Sequence, residues 1–249
     1  SYLNYSSYFE FNTNKKIIEF QRENKNVFIL DIHKIIVQHG SKNCLDDKFW
    51  YIGKIKYSSL FFEQLSKEIN GIVSAINSNA KKVLVLDLDN TIWGGVIGEA
   101  DGNIQLSNEG VGKIYLEFQQ NLKYLKNLGI LLAINSKNNY DDAIKGLSNK
   151  NSILSKDDFV VIKANWKNKA SNMIEIANEL NLGTDSFVFI DDNPVERELV
   201  KLELPEVIVP GFPEELDEYN EWFVSDIVQN FFPKVFLSTE DKLKTKQYK

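Results

Sequence analysis

Val83-Leu84-Val85-Leu86-Asp87-Leu88-Asp89-Asn90-Thr91 sets an uninterrupted apolar run directly against two aspartates. A run without polar alternation predicts a strand covered on both faces, as in a parallel sheet. The polar residues after it then fall at the carboxyl end of the strand, where ligands gather in open sheets of this kind. Outward from that stretch, strand and helix signals alternate. Residues 111–128 read as a helix, with Ile114, Tyr115, Phe118, Leu122, Leu125 and Leu128 on one side and Gly129 as its stop. Strands are expected at 130–134, 159–162, 187–190 and 207–209. Helices are expected at 139–147, at 169–180, ending near Gly183, and from Pro194, which favours a first helical position. The alternation predicts an α/β, Rossmann-like, mostly parallel sheet with helices on both faces.

Upstream the pattern changes. A helix is expected over 14–24, a strand over 26–32, and a further helix capped by Ser58. In that helix Leu60, Phe61, Leu65, Ile69, Ile72, Val73 and Ile76 follow helical spacing. Asn77-Ser78-Asn79 marks a boundary. The expected organisation is a small partial α/β segment over 1–79, a sheet domain over 80–238, and a charged tail or linker over 239–249.

The chain has 249 residues, 43% of them hydrophobic, enough for one well-packed domain and a smaller piece. The net charge of -6, with no basic block, argues against nucleic acid as a partner. It leaves room for a locally positive site that takes a small anion. The single cysteine, Cys44, excludes an internal disulfide and suits a reducing compartment. No apolar run is long enough to span a bilayer, and residues 1–16 show no leader pattern. A cytoplasmic protein with no membrane partner is expected.

Four expected strand ends carry reactive groups: Asp87 to Thr91, Asn135-Ser136-Lys137, the stretch from Ile162 to Lys169, and Asp191-Asp192-Asn193. Carboxylates crowded at two strand ends repel one another unless a cation lies between them. Hard oxygen ligands suit magnesium. A hydroxyl and an ammonium nearby supply what a phosphate needs. The set describes a site for a metal and a phosphoryl group together.

Asp87-x-Asp89-x-Thr91, then Ser136, Lys169 and Asp191-Asp192, resembles the four ordered motifs of the haloacid-dehalogenase superfamily. Three longer stretches, from Leu86 to Glu99, from Ile162 to Trp166 and from Phe187 to Arg197, resemble its FkbH-like subfamily. The resemblance implies a magnesium-dependent phosphatase or phosphotransferase with no large cap domain, acting on a small phosphorylated metabolite. More specifically, it implies a phosphorylated glycerate such as 1,3-bisphosphoglycerate, with glyceryl loaded onto an acyl carrier protein. A plain phosphatase of surface-polysaccharide metabolism and a phosphate-binding scaffold without turnover are the alternatives. A signalling receiver domain uses similar groups in another order, with its acidic pair on the first strand.

The resemblance also implies residue roles. Asp87 is the nucleophile that forms an aspartyl-phosphate. Asp89 is the general acid and then the base, with its backbone carbonyl on the metal. Ser136 and Lys137 contact the substrate, and Lys169 neutralises the nucleophile–phosphate pair. Asp87, Asp89, Asp191 and Asp192 form the metal set, with Asp192 favoured as a direct ligand and Asp191 orienting waters or Lys169. Thr91 shapes the loop and counts among the substrate contacts. Gly94 and Gly95 open a hairpin flap running to Gly110 and let the backbone approach phosphate.

Plainer readings exist: Ser136 as a helix cap, and Lys169 as a solvated first-turn lysine with Lys163 and Lys167 as rivals. The chain departs from its relatives at Asn168, where they often have Pro, and at Val83, where a cysteine able to hold a glyceryl thioester often stands. Residues 1–79 resemble the tail of an SGNH-hydrolase-like domain. His33 and His39 are expected to be structural or exposed, and Cys44 packed or partly exposed.

Overall fold

The computed structural model describes residues 2–24, 27–76, 80–98 and 104–233, with the side chains of 2–6 and 74–76 excepted. The chain forms two compact units, Ser1–Ile76 and Asn77–Lys249. Asn26, the boundary at 77–79, flap residues 99–103 with Glu99, and the segment 239–249 lie outside the described residues.

The first unit is helical: α1 (Tyr2–Glu23), α2 (Ile32–His39), α3 (Ser41–Cys44), α4 (Asp47–Gly53) and α5 (Ser59–Ile76). The strand expected over 26–32 is not formed by its described residues, which lead instead into α2. The reason is Asp31. Its carboxylate accepts from the backbone N–H of His33 at 3.0 Å and of Lys34 at 3.2 Å, so it caps a helix where a strand would need a paired neighbour. Among its described residues the expected α/β segment has helices and, in place of a sheet, one antiparallel bridge, Leu45 to Tyr57. Ser58 does cap α5: its Oγ accepts from Phe61 N at 3.3 Å and donates to Asn43 O at 2.6 Å. Ile35, Cys44 and Phe61 form a small core, and Tyr57 stacks on Phe61. Cys44 is fully buried and free, and His33 is exposed.

The second unit carries β1 (Val83–Leu86), α6 (Gly110–Asn127), β2 (Leu131–Ser136), α7 (Tyr140–Leu147), β3 (Val161–Ala164), α8 (Lys169–Leu180), β4 (Phe187–Ile190) and α9 (Pro194–Glu203). The four strands are all parallel, in the order β3-β2-β1-β4. Leu86 at the end of β1 lies opposite Ile134 of β2 and Ile190 of β4, so the residues that follow begin at one level.

Alternation along the strands builds two cores. Leu84, Leu86, Leu132, Ile134, Val188 and Ile190 pack with α6 and α7 on one face. Val83, Val85, Leu131, Ala133, Phe187 and Phe189 pack with α8 and α9 on the other. Gly129, at φ 84, ends the turn after α6. Asn168 caps α8 through Ala170 N at 2.7 Å, and Asn181 in the left-handed region ends it. Asn193 caps α9, with Pro194 at its first position.

Three details differ from the sequence reading. β3 starts two residues late, because Asp158 and Ser155 close a capping box around a 3₁₀ turn, Lys156–Asp158. Residues 207–209 make a single parallel bridge, Val188 to Ile208, rather than a strand. A further helical stretch follows α9, running from Leu216 through a π-helical segment, Phe223–Val228, to Phe231. Among the described residues no helix is long and apolar enough to cross a membrane.

One close approach ties this packing to the site. A Cβ on Gly146 of α7 would lie 2.5 Å from the Trp93 ring and 2.8 Å from Ile97 Cδ1. Trp93 is fully buried, so the ring has no solvent to move into. Gly146→Val should lower the unfolding free energy by about 2 kcal/mol through overpacking. A shift of the urea midpoint at unchanged m-value would report it. An unaltered midpoint would mean that the Trp93 side of α7 yields freely.

Candidate active site

The four strand ends converge on one cavity of about 230 Å³. Five carboxylates line it (Asp87, Asp89, Asp191, Asp192 and Glu196) against two ammonium groups, Lys137 and Lys169. Among them Asp87, Asp191 and Asp192 can each offer an oxygen within 4.8 Å of the others, a spacing that would suit one metal ion.

Lys169, only 3% exposed, sits at the start of α8 and reaches across the sheet end. Its Nζ donates to Asp87 Oδ1 at 2.8 Å and to Asp191 Oδ2 at 2.5 Å. Burial alone would depress this ammonium, but the Asp87 and Asp191 charges outweigh it and hold the pKa above the ordinary lysine value. The rival lysines point elsewhere. Lys163 pairs with Glu175 and Glu179, and Lys167 pairs with Glu175.

The two aspartates after β4 are not equivalent. Asp191 is fully buried, and both its oxygens accept: Oδ2 from Lys169 and Oδ1 from Asn193 N at 2.9 Å. Burial, and then the charge of Asp87, push its pKa up to about 6 against the pull of Lys169. Asp192 is half-buried, and burial and Asp87 raise it too. These upward shifts express like charges crowded out of water, which a divalent cation among them would relieve. The residues present therefore fit a hard cation held by Asp87 and Asp192, with Asp191 committed to Lys169.

Asp89 is held from two directions. Trp93 Nε1 donates to its Oδ1 at 2.8 Å and Ile97 N to the same oxygen at 3.2 Å. Asn138 Nδ2 donates to Oδ2 at 2.9 Å. Asn138 also donates to Ser136 Oγ at 3.1 Å, which leaves the Ser136 hydroxyl hydrogen free for another acceptor. Asn90, in the left-handed region at φ 51, accepts from Gly95 N at 2.8 Å and hydrogen-bonds Asp192.

Thr91, Gly94 and Gly95, expected among the substrate contacts, do not line the cavity. Thr91 is fully buried, and its carbonyl accepts from Tyr219 OH at 3.0 Å. Gly94 pairs with Gln105 as an antiparallel bridge that closes the base of the flap. A Cβ on Gly94 would meet the Tyr115 ring at 2.7 Å. Their part is to shape the loop rather than to face the cavity.

Sequence reading assigned no role to Asn90 or Asn138, to the amide chain Asn135–Asn172–Asn165 that braces the start of α8, or to Glu196 as a cavity group. Arg197 was also missed: its Nη1 donates to both the Asp191 and Asp192 carbonyls at 2.7 Å. Glu196 and Arg197 stood inside the stretch from Phe187, and their spacing on the first turn of α9 was the one available signal.

The chain is similar over most of its length to a solved structure, the N-terminal part of the protein BF1531 from Bacteroides fragilis, which contains a phosphatase domain and is complexed with Mg. The TM-score is 0.80 and the identity 39%, over 90% of this chain and 59% of that one. This chain therefore spans 59% of the length of that structure. No family model and no curated protein matches it.

Lys169→Met tests the electrostatic account. In chelator, two buried carboxylates would lose their counter-ion, and the unfolding free energy should fall by about 3–5 kcal/mol. A millimolar divalent cation should restore part of that loss. Urea unfolding under both conditions measures it, and equal losses with and without cation would contradict a metal among these carboxylates.

Proposed function

We propose that this chain is a magnesium-dependent phosphatase of the haloacid-dehalogenase type, working through an aspartyl-phosphate on Asp87. The observation that carries the reading is the convergence of Asp87, Asp191 and Asp192 with Lys169 bridging the first two. The similarity to a magnesium-bound structure with a phosphatase domain supports it.

Asp87 and Asp192, with the Asp89 carbonyl, are the groups that would hold magnesium. The ion supplies positive charge that lets a phosphoryl group approach so acidic a cavity. The remaining chemistry belongs to side chains. An oxygen of Asp87 attacks phosphorus, and the bond to the leaving oxygen breaks. Asp89 gives that oxygen a proton, then takes one from the water that hydrolyses the acyl phosphate. Ser136 donates its free hydroxyl hydrogen to a phosphoryl oxygen. Lys169 offsets the charge that Asp87 and the phosphoryl group share.

Asp87→Asn should abolish phosphate release while leaving the urea midpoint near that of the parent. Asp89→Asn should lower turnover by roughly 10²–10⁴ for an alkyl phosphate, and by much less for an aryl phosphate whose leaving oxygen needs little protonation. Full activity of Asp87→Asn in a magnesium-dependent release assay would remove the nucleophile assignment. Equal losses for both ester types would remove Asp89 as the acid.

A finer reading is transfer of glyceryl from a phosphorylated glycerate such as 1,3-bisphosphoglycerate to an acyl carrier protein. Its support is the FkbH-like resemblance and the form of the site. Val96 and Asn193, which line the cavity, are exposed. Valine at position 83, fully buried within β1, offers no thiol for a covalent glyceryl stage. Intact-mass analysis of a pantetheinylated carrier, incubated with this chain, magnesium and a 1,3-bisphosphoglycerate-generating system, decides it. A glyceryl increment that needs Asp87 is the expected outcome. Phosphate release with an unmodified carrier would leave a phosphatase alone.

A further inference from the structure

Glu196 has no part in the chemistry set out above. It is the third residue of α9, where a glutamate commonly folds back onto the N–H of the capping residue. Here that N–H, on Asn193, donates to Asp191 Oδ1 instead. Glu196 lines the same cavity as Asp87 and Asp89 and is 8% exposed. Its Oε1 accepts from Lys137 Nζ at 2.5 Å. Its Oε2 is buried and has no hydrogen-bond partner among the described residues.

A buried carboxylate oxygen without a donor is uncommon in a folded protein, because the lost hydration goes unreplaced. At a cavity wall the natural replacement is a donor on the ligand. Lys137 already balances the charge of Glu196, so a neutral hydroxyl fits better than a second cation.

We propose that Glu196 is a specificity-determining residue, whose Oε2 accepts a hydrogen bond from a hydroxyl on the organic part of a phosphate ester. The cavity then favours hydroxylated organic phosphates over plain alkyl phosphates. This rests on the phosphatase reading for its choice of ligand, and binding can test it without turnover.

The probes are glycerol 1-phosphate and propyl phosphate, titrated calorimetrically with magnesium into Asp87→Asn. The hydroxylated ester should bind roughly 10- to 100-fold more tightly, the usual range for one hydrogen bond to a charged group. Adding Glu196→Ala, or Glu196→Met, which keeps the volume but has no acceptor, should shrink that ratio to below about threefold. Equal binding of the two esters, binding of neither, or a ratio that survives both substitutions overturns the inference. The phosphatase reading fails separately, if the unaltered chain releases no phosphate from either ester or from an aryl phosphate while Asp87→Asn still discriminates between them.

Discussion

The buried ammonium of Lys169, shared by Asp87 and Asp191, is the interaction on which the site depends. Two carboxylates this far from water would otherwise repel each other and resist ionisation. The ammonium reaches both because β1 and β4 run parallel and in register, so their carboxyl ends stop at one level. A sheet with β4 reversed would carry Asp191 to the other end. The parallel topology is therefore a chemical requirement as well as a packing solution, and the two cores on either face hold it in place.

Around the charged centre the bracing is done mostly by neutral groups. Asn135, Asn165 and Asn172 tie the ends of β2 and β3 to α8. Asn138 links Asp89 to Ser136, and Asn90 links the flap to Asp192. Amides suit this task because each both donates and accepts without adding charge to a cavity already rich in it. Arg197 is the exception. It binds backbone carbonyls and stands outside the carboxylate balance.

Much of this was legible in the sequence, for identifiable reasons. β1 and β4 are unbroken apolar runs, and residues 83–86, 169–180 and 187–190 were read to the residue. The four strand ends that meet in the cavity were each marked by polar residues straight after an apolar run. The failures have causes of their own. Residues 26–32 look like a strand because β-formers dominate there, but a single aspartate cap outweighs propensity where the described residues of this unit offer no partner strand. The helical stretch from Leu216 escaped because a π segment breaks the period on which recognition depends. Lys169 could not be separated from Lys163 and Lys167 by local pattern, since what separates them is the distant carboxylates each meets: Asp87 and Asp191 for Lys169, but only helix-surface glutamates for the other two. Asn138 and Glu196 meet partners 49 and 59 residues away, and no short-range spacing encodes that.

The close approach at Gly146 carries one more consequence. A line of two contacts joins three positions, from the backbone of α7 through the Trp93 indole to the Asp89 carboxylate. Each position on it is intolerant for a different reason: added volume at the first, lost volume at the second, altered charge at the third. Substitution along this line would therefore have to be concerted rather than stepwise. A larger residue in α7 becomes acceptable only with a smaller ring at 93, and a smaller ring withdraws the donor that aims Asp89. The aim of the Asp89 carboxylate is in this sense inherited from the absence of one carbon atom on a neighbouring helix.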